Sequence, residues 1–441
     1  MTLKHNSPGI SAPSLPRVLG VTGLAFASFN SIVGSGIFGL PALVAALLGP
    51  AAMLAYLVCV VLIALMGLCF AEAGSRVNRP GGLYAYAHAA FGPVVGGVAG
   101  TLNWIATAVV PSAAIANFLT STLAVAAPAL ASPLPRALFL AFIYLTLAAV
   151  NIRGTRMGAG LSVTIGIIKL TPLVLLVVAG SLAIHAPNLH WTSRPDPERV
   201  GQGAVLLFFA FMGVESGLSM SGEVRHPART VPRAIALCLT LIAVLYIGLQ
   251  LVAQGVLGPG LAVAKAPLVA TATAVFGPWG TRLLWIATLV SAAGYLTGDV
   301  LCSPRLMHAL AGAGQLPRPL AGMHPRFGTP AVAIGTYALL CFVVAVSGSF
   351  RQLVIIASSS TLLLYLICCL GLLRLRARQV AMAGTPFPAP GGAFVPLAAA
   401  AMIVWMLTTL PGKELAAAAG LVVVSGIIYG IRARRTGGTA L

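Results

Sequence analysis

The chain has 441 residues, of which 59% are hydrophobic and only 7% charged, and its formal net charge is +19. A soluble domain carries roughly 25% charged residues, so a water-soluble fold of this length is excluded and a bilayer is the solvent that accepts the apolar surface. The basic residues stand singly or in pairs between apolar runs, the pattern of topology signals and of contact with anionic lipid headgroups rather than of a nucleic-acid footprint.

Residues 1–17 are polar and rich in Ser and Pro, without the charged-then-apolar order of a cleaved signal peptide. They read as a cytoplasmic tail. Twelve apolar helical spans follow: Val18–Leu48, Ala51–Ala73, Val94–Ala126, Ala137–Ile152, Leu161–Ile184, Gln202–Gly222, Ala234–Leu257, Trp279–Leu310, Ala331–Ser347, Leu353–Leu373, Ala393–Leu410 and Leu415–Ile431. They are read as crossing a hydrocarbon core of roughly 30 Å. Gly49-Pro50, Arg79-Pro80-Gly81-Gly82, Pro133, Pro195, Pro227, Pro259 and Pro317 punctuate the joints. With both termini cytoplasmic, 18 of the 26 lysines and arginines fall on inside segments and 7 on outside ones, while Lys169 lies within a span. That asymmetry satisfies the positive-inside rule and supports the count, since a missed helix would scramble the alternation.

Two spans carry breaks. The first holds Val33-Gly34-Ser35-Gly36-Ile37-Phe38-Gly39-Leu40-Pro41, and the sixth holds Phe208 to Gly217. Glycine weakens a helix and proline removes a ladder donor. Unwound backbone at membrane depth is tolerated only where protein buries it or where it lines a cavity. Breaks in spans one and six are the spacing expected of two inverted five-span repeats with a site at their interface. The chain then divides into the tail 1–17, a first repeat 18–184, an extracellular loop 185–201, a second repeat 202–373, a cytoplasmic loop 374–392, two further spans within 393–431, and a cytoplasmic tail 432–441. Gly92, Gly96 and Gly100, four residues apart at the start of span three, read as a close-packing face.

Gly34 to Gly39 matches the dinucleotide pattern G-x-G-x-x-G. That reading fails, because both flanks are membrane helix and no acid follows until Glu72. The same glycines free backbone N–H groups at the start of a half-helix, a setting that suits a carboxylate. Unwound carbonyls near Phe209 and Met212 suit an ammonium group. Together they fit an α-amino acid zwitterion; the alternative is that the glycines only let helices approach closely. The seven cysteines lie in or beside apolar runs without zinc-ligand spacing, so neither metal nor cofactor is expected.

The stretches Val33–Phe38, Arg79–Tyr86, Phe208–Glu215, Gly222–Ile235 and Ser303–Pro317 together resemble the amino acid–polyamine–organocation (APC) superfamily, and within it the bacterial amino acid permeases and exchangers. The resemblance implies an all-α membrane protein of about 12 helices, a 5+5 inverted repeat with helices one and six broken, plus two extra helices. It implies that Ser35 and Gly36 hold the substrate carboxylate, that the carbonyls of Ile32, Phe209 and Met212 hold the amine, and that Phe209 caps the site. One departure is Ala311-Gly312-Ala313-Gly314, where relatives carry an alanine–arginine–aspartate–glycine run.

Acids are scarce at seven, so ionisable residues in spans stand out. Lys169 in span five is a candidate proton carrier, and relatives with proton coupling have a lysine here; snorkelling to the interface is the alternative. Glu215 resembles a glutamate linked to pH response in exchangers, or it caps a half-helix. Asp299 in span eight stands where relatives contact the substrate side chain, so it either reads a cationic side chain or partners Lys169. The reading is a secondary active transporter of the cytoplasmic membrane that moves amino acids, cationic ones among them, by alternating access, with protons or a counter-substrate as the coupled species. A polyamine or amine antiporter is the alternative. An intramembrane enzyme lacks a nucleophile–base pair or an H-E-x-x-H motif, a channel lacks a repeated filter, and no P-loop for ATP is present.

Overall fold

The computed structural model describes residues 20–77, 82–154, 159–191, 194–213, 227–312, 316–382 and 386–435, and among them there is no strand. Span one is split into α1 (Val21–Ile32) and α2 (Leu40–Leu48), joined through a 3-10 turn at Gly36–Phe38. The helix ends where Val33 turns to ψ 80°. Pro41 falls in the first turn of α2, where its missing N–H costs nothing. Pro41 therefore starts the second half-helix and takes no part in the break, which belongs to residues 33–39. Gly49, at φ 53°, then turns the chain into α3 (Ala52–Arg76).

A short helix that the sequence reading left out, α4 (Leu83–Phe91), precedes span three. Span three is α5 (Pro93–Trp104), a π-helical turn at Ile105–Val109, and α6 (Val110–Leu123). Pro111 sits just past that turn and withholds one ladder donor, a common setting for such bulges. The small-residue face of α5 meets α4. A Cβ on Gly96 would lie 2.8 Å from that of His88, and one on Gly100 would lie 3.1 Å from the Tyr84 ring. The close packing expected of these glycines holds for Gly96 and Gly100, between a span and its own preceding helix, whereas nothing lies within 4 Å of a Cβ on Gly92, which at φ 91° turns the chain from α4 into α5.

The remaining helices are α7 (Pro133–Arg153), α8 (Ala159–Gly180), α9 (Pro197–Phe211), α10 (Pro227–Leu257), α11 (Pro267–Phe276), α12 (Pro278–Gly312), α13 (Ala331–Ser347), α14 (Phe350–Ala377), α15 (Phe394–Thr408) and α16 (Gly412–Arg435). Among the described residues eight runs of helix are long and apolar enough to cross a membrane, and α11, α13 and α15 are shorter apolar helices. Each of the twelve expected spans has a helix or half-helix pair at its place, except that span six is described only to Gly213. Leu138, Phe142 and Leu145 form an exposed stripe on α7. In water such a patch is an aggregation site, whereas against acyl chains it is the ordinary surface of a multi-pass membrane protein.

The packing repeats itself. Span one (α1) lies on span seven (α10), and span six (α9) lies on span two (α3); span three (α6) lies on span ten (α14), and span five (α8) on span eight (α12). Each contact recurs with the two halves exchanged, one partner advanced by five spans and the other moved back by five. An odd number of crossings per half inverts the second half, so these paired contacts are those of an inverted repeat. Helices α15 and α16 stand outside it, against α3, α5 and α14.

Polar side chains tie the layers at both ends. Buried Asn117 on α6 donates to the carbonyl of Ala345 on α13 (2.7 Å) and accepts from the Arg136 guanidinium on α7. At the opposite end Glu72, 1% exposed on α3, accepts from Arg76 (3.0 Å), from Arg376 on α14 (2.8 Å) and from the Ala389 N–H (2.9 Å). The Arg76 carbonyl takes the Met382 N–H (2.9 Å). The connection between α14 and α15 is thereby strapped to the end of α3. Glu72→Ala would leave two guanidinium groups facing a hole, at an expected cost of about 3–5 kcal/mol. Thermal unfolding in detergent should show a far larger drop for it than for Glu198→Ala at the exposed start of α9; equal shifts would show the cluster to be dispensable.

Candidate functional site

The two breaks meet. The 3-10 turn of span one packs on α9, and the Phe209 ring lies so close to Gly36 that a Cβ there would stand 2.9 Å from Phe209 Cδ1. Phe209 is 8% exposed, and its ring stands edge-on to Phe350 of α14. Of the three glycines at the break, Gly34 is the open one: a Cβ on it would meet nothing nearer than the Ile32 carbonyl at 3.8 Å. Ser35, between them, is fully buried, and its hydroxyl has no hydrogen-bond partner among the described residues. A buried hydroxyl without a partner is uncommon and calls for a ligand or water.

Helix α9 begins on an Asp196 cap, whose carboxylate takes the Glu198 N–H at 3.0 Å. It ends where Met212 goes extended and Gly213 takes φ 102°. Glycine alone enters that region without cost, so the break of span six is written at Gly213. Met212 stays partly buried beside it. Glu215 lies outside the described residues.

Tyr246 joins the two half-helices. Its buried hydroxyl on α10 lies 3.1 Å from the Ala210 carbonyl and 3.4 Å from the Ile32 carbonyl. One proton serves both, with the nearer Ala210 as the main acceptor. The Ile32 carbonyl also takes the Gly34 N–H at 2.7 Å. Helix ends leave carbonyls unpaired, and a tyrosine from a third helix meets that need without water. Sequence reasoning did not single out Tyr246; its only signal there is a lone phenol in an apolar run.

Lys169 is 8% exposed on α8. Asp299, on α12, is held elsewhere: its two oxygens accept from Ser303 (2.8 Å) and from Tyr337 on α13 (2.6 Å). No ion pair joins it to Lys169 among the described residues. The pairing of these two, left open by the sequence, is therefore absent from this arrangement. Further polar groups that the sequence reading passed over are the buried hydroxyls of Ser358, Ser360 and Thr361 on α14 and the indole N–H of Trp104, all without partners among the described residues. The run Ser358-Ser359-Ser360-Thr361 inside an apolar span was the visible signal. An open cavity of about 430 Å³ lies at the α2–α3 corner, lined by Gly49, Pro50, Trp191, Arg194 and Arg199 among others. It includes none of the residues at the two breaks.

The amino acid permease family matches residues 19–431. An uncharacterised transporter of Mycobacterium tuberculosis is 30% identical over 421 residues, covering 95% of this chain and 92% of the relative. Mouse cationic amino acid transporter 4 is 26% identical, over 86% of this chain and 63% of the relative. The serine/threonine exchanger of Bacillus subtilis is 29% identical, over 73% and 75%. Two helices broken where they meet, an all-helical multi-pass body and a family match spanning nearly the whole sequence agree: this chain belongs to the amino acid permease family.

Proposed function

We propose that the chain is a secondary active transporter that carries amino acids across the cytoplasmic membrane by alternating access, coupled to protons or to a counter-substrate, with both termini cytoplasmic. The observation that carries this reading is the unpartnered, fully buried Ser35 hydroxyl beside open backbone at Gly34. In this reading the Ser35 hydroxyl and the N–H groups of Ser35 and Gly36 receive the α-carboxylate, in the space left open beside Gly34. The ammonium meets the carbonyl side of the breaks at Ile32, Phe209 and Met212, and Phe209 covers the pair. One bundle of helices then rocks against the other around this point. Lys169 and Glu215 are the proposed proton-coupling or gating groups.

The carboxylate receptor favours amino acids over simple amines, which would leave Ser35 unpartnered. Asp299 already holds two hydroxyl donors, so neutral side chains are the preferred class. The cationic transporter among the relatives makes arginine and lysine the necessary comparison.

Purified protein in liposomes, offered labelled amino acids and amines with and without a pH gradient or internal amino acid, tests the reading. Saturable uptake of amino acids, accelerated by internal substrate or by an acidic exterior, is the expected result. Uptake that never saturates, or that takes amines alone, would refute it.

Two substitutions test the site. Ser35→Ala removes a hydrogen bond to a charged group and should raise the apparent KM by about ten-fold or more. Gly34→Ala adds a methyl group where the protein leaves room, so folding should be unchanged while transport falls sharply. Wild-type uptake by Gly34→Ala would mean that these glycines serve packing alone.

A further inference from the structure

Leaving aside Glu414 in the first turn of α16, Asp299 is the one acid of the described membrane spans that no cation compensates. Glu72, the other, has two guanidinium groups. Around Asp299 the neighbours are hydroxyls and thiols. On its own helix they are Ser303, Tyr295 and Cys302; on α13 they are Tyr337 and Cys341; Ser112 comes from α6 and Tyr144 from α7. Ser112 and Tyr144 are themselves 3.3 Å apart, oxygen to oxygen. Lys169 stands on α8, which packs against the same helix, but it forms no ion pair with this carboxylate. Short α11, also against α12, carries no ionisable side chain. None of the groups named around Asp299 comes from the broken spans. The carboxylate belongs to the layer made by spans three, four, eight and nine.

We propose that Asp299 is a proton-binding site in that layer, set apart from the substrate, and that its protonation state gives transport its pH dependence. A lone carboxylate at membrane depth is costly when ionised and cheap when protonated. The two donors lower the cost of the charged form without abolishing it, because hydroxyls bring no charge. A hydroxyl can also turn from donor to acceptor. Tyr337 and Ser303 therefore fit both states: they donate to the carboxylate, and one of them accepts from the carboxylic acid. A guanidinium, which only donates, would hold the charged state alone. The step is simple proton uptake, a carboxylate and a proton giving a carboxylic acid, and needs no co-reactant. Its role in the cycle rests on the transporter reading above, whereas the protonation itself does not.

Infrared titration of the purified protein reads the carboxylic C=O stretch without any transport. A protonated-carboxyl component should rise as pH falls in the wild type and be absent from Asp299→Asn, the remaining carboxyls cancelling in the difference between the two spectra. In Tyr337→Phe the ionised form has lost a donor, and the band should persist to higher pH by about one unit. In liposomes Asp299→Asn should still take up neutral amino acids, with its pH profile flattened. Tyr337→Phe keeps the test open if Asp299→Asn does not fold. A wild-type band in Asp299→Asn, or an unshifted one in Tyr337→Phe, would overturn the proposal. So would an Asp299→Asn transporter that keeps the wild-type pH profile, or one that loses only arginine and lysine, which would return Asp299 to reading the side chain. If the wild type moves no amino acid at all, the transporter reading fails and the infrared result still decides the protonation.

Discussion

Everything central in this molecule follows from breaking two helices in a medium without water. Each break strips backbone groups of their ladder partners, and lipid offers none in exchange. The protein answers by bringing the two breaks together. The Phe209 ring closes over Gly36, and the Tyr246 hydroxyl spans the carbonyl ends of α1 and α9. What that arrangement leaves unsatisfied becomes informative. The Ser35 hydroxyl is buried without a partner, while Gly34 has open space beside its α-carbon. A ligand with an anionic end would supply what is missing there.

Glycine has a different purpose at each of these places. At Gly36 the missing side chain makes room for Phe209, at Gly39 for the Phe118 ring, whose Cε2 would stand 2.6 Å from an added Cβ. At Gly213 it is the backbone that needs glycine, since φ is 102°. At Gly34 neither applies. Packing therefore accounts for most of the glycines in the motif, and the one it does not account for sits beside the orphaned hydroxyl.

The fold was legible because membrane spans announce themselves by length, and the arginines by their alternation between loops. The expected limits of span nine coincide with α13, and Gly49-Pro50 does turn the chain into α3. The breaks were legible as well, since Gly34, Gly36 and Gly213 are conspicuous in apolar runs. Short helices lying beside the spans were not. Helix α4 is only Leu83–Phe91, and its apolar face reads as the approach to span three until Gly96 and Gly100 are seen to pack on His88 and Tyr84. Tyr246 was hidden for another reason. A single phenol has no periodicity, and its meaning lies in two carbonyls that are 214 and 36 residues away in sequence. Asp299 stands out in the sequence as an acid within an apolar span. Its neighbours come from three other helices, and no spacing within one helix reveals them.

Glu72 and Asp299 show how environment assigns different duties to the same chemical group. Glu72 meets Arg76, Arg376 and a backbone N–H at the end of α3. Its charge is permanently matched, and the cluster straps a connection onto a helix end. Paired in this way, the carboxylate gains from being ionised and offers no advantage to a proton. Asp299 meets two hydroxyls, which are donors to a carboxylate and acceptors from an acid. The same group is then free to exist in two states at little structural cost. A protein with seven acids in 441 residues has few ways to respond to pH from within the membrane. Among the described acids, the position whose partners tolerate both states is the one suited to such a response.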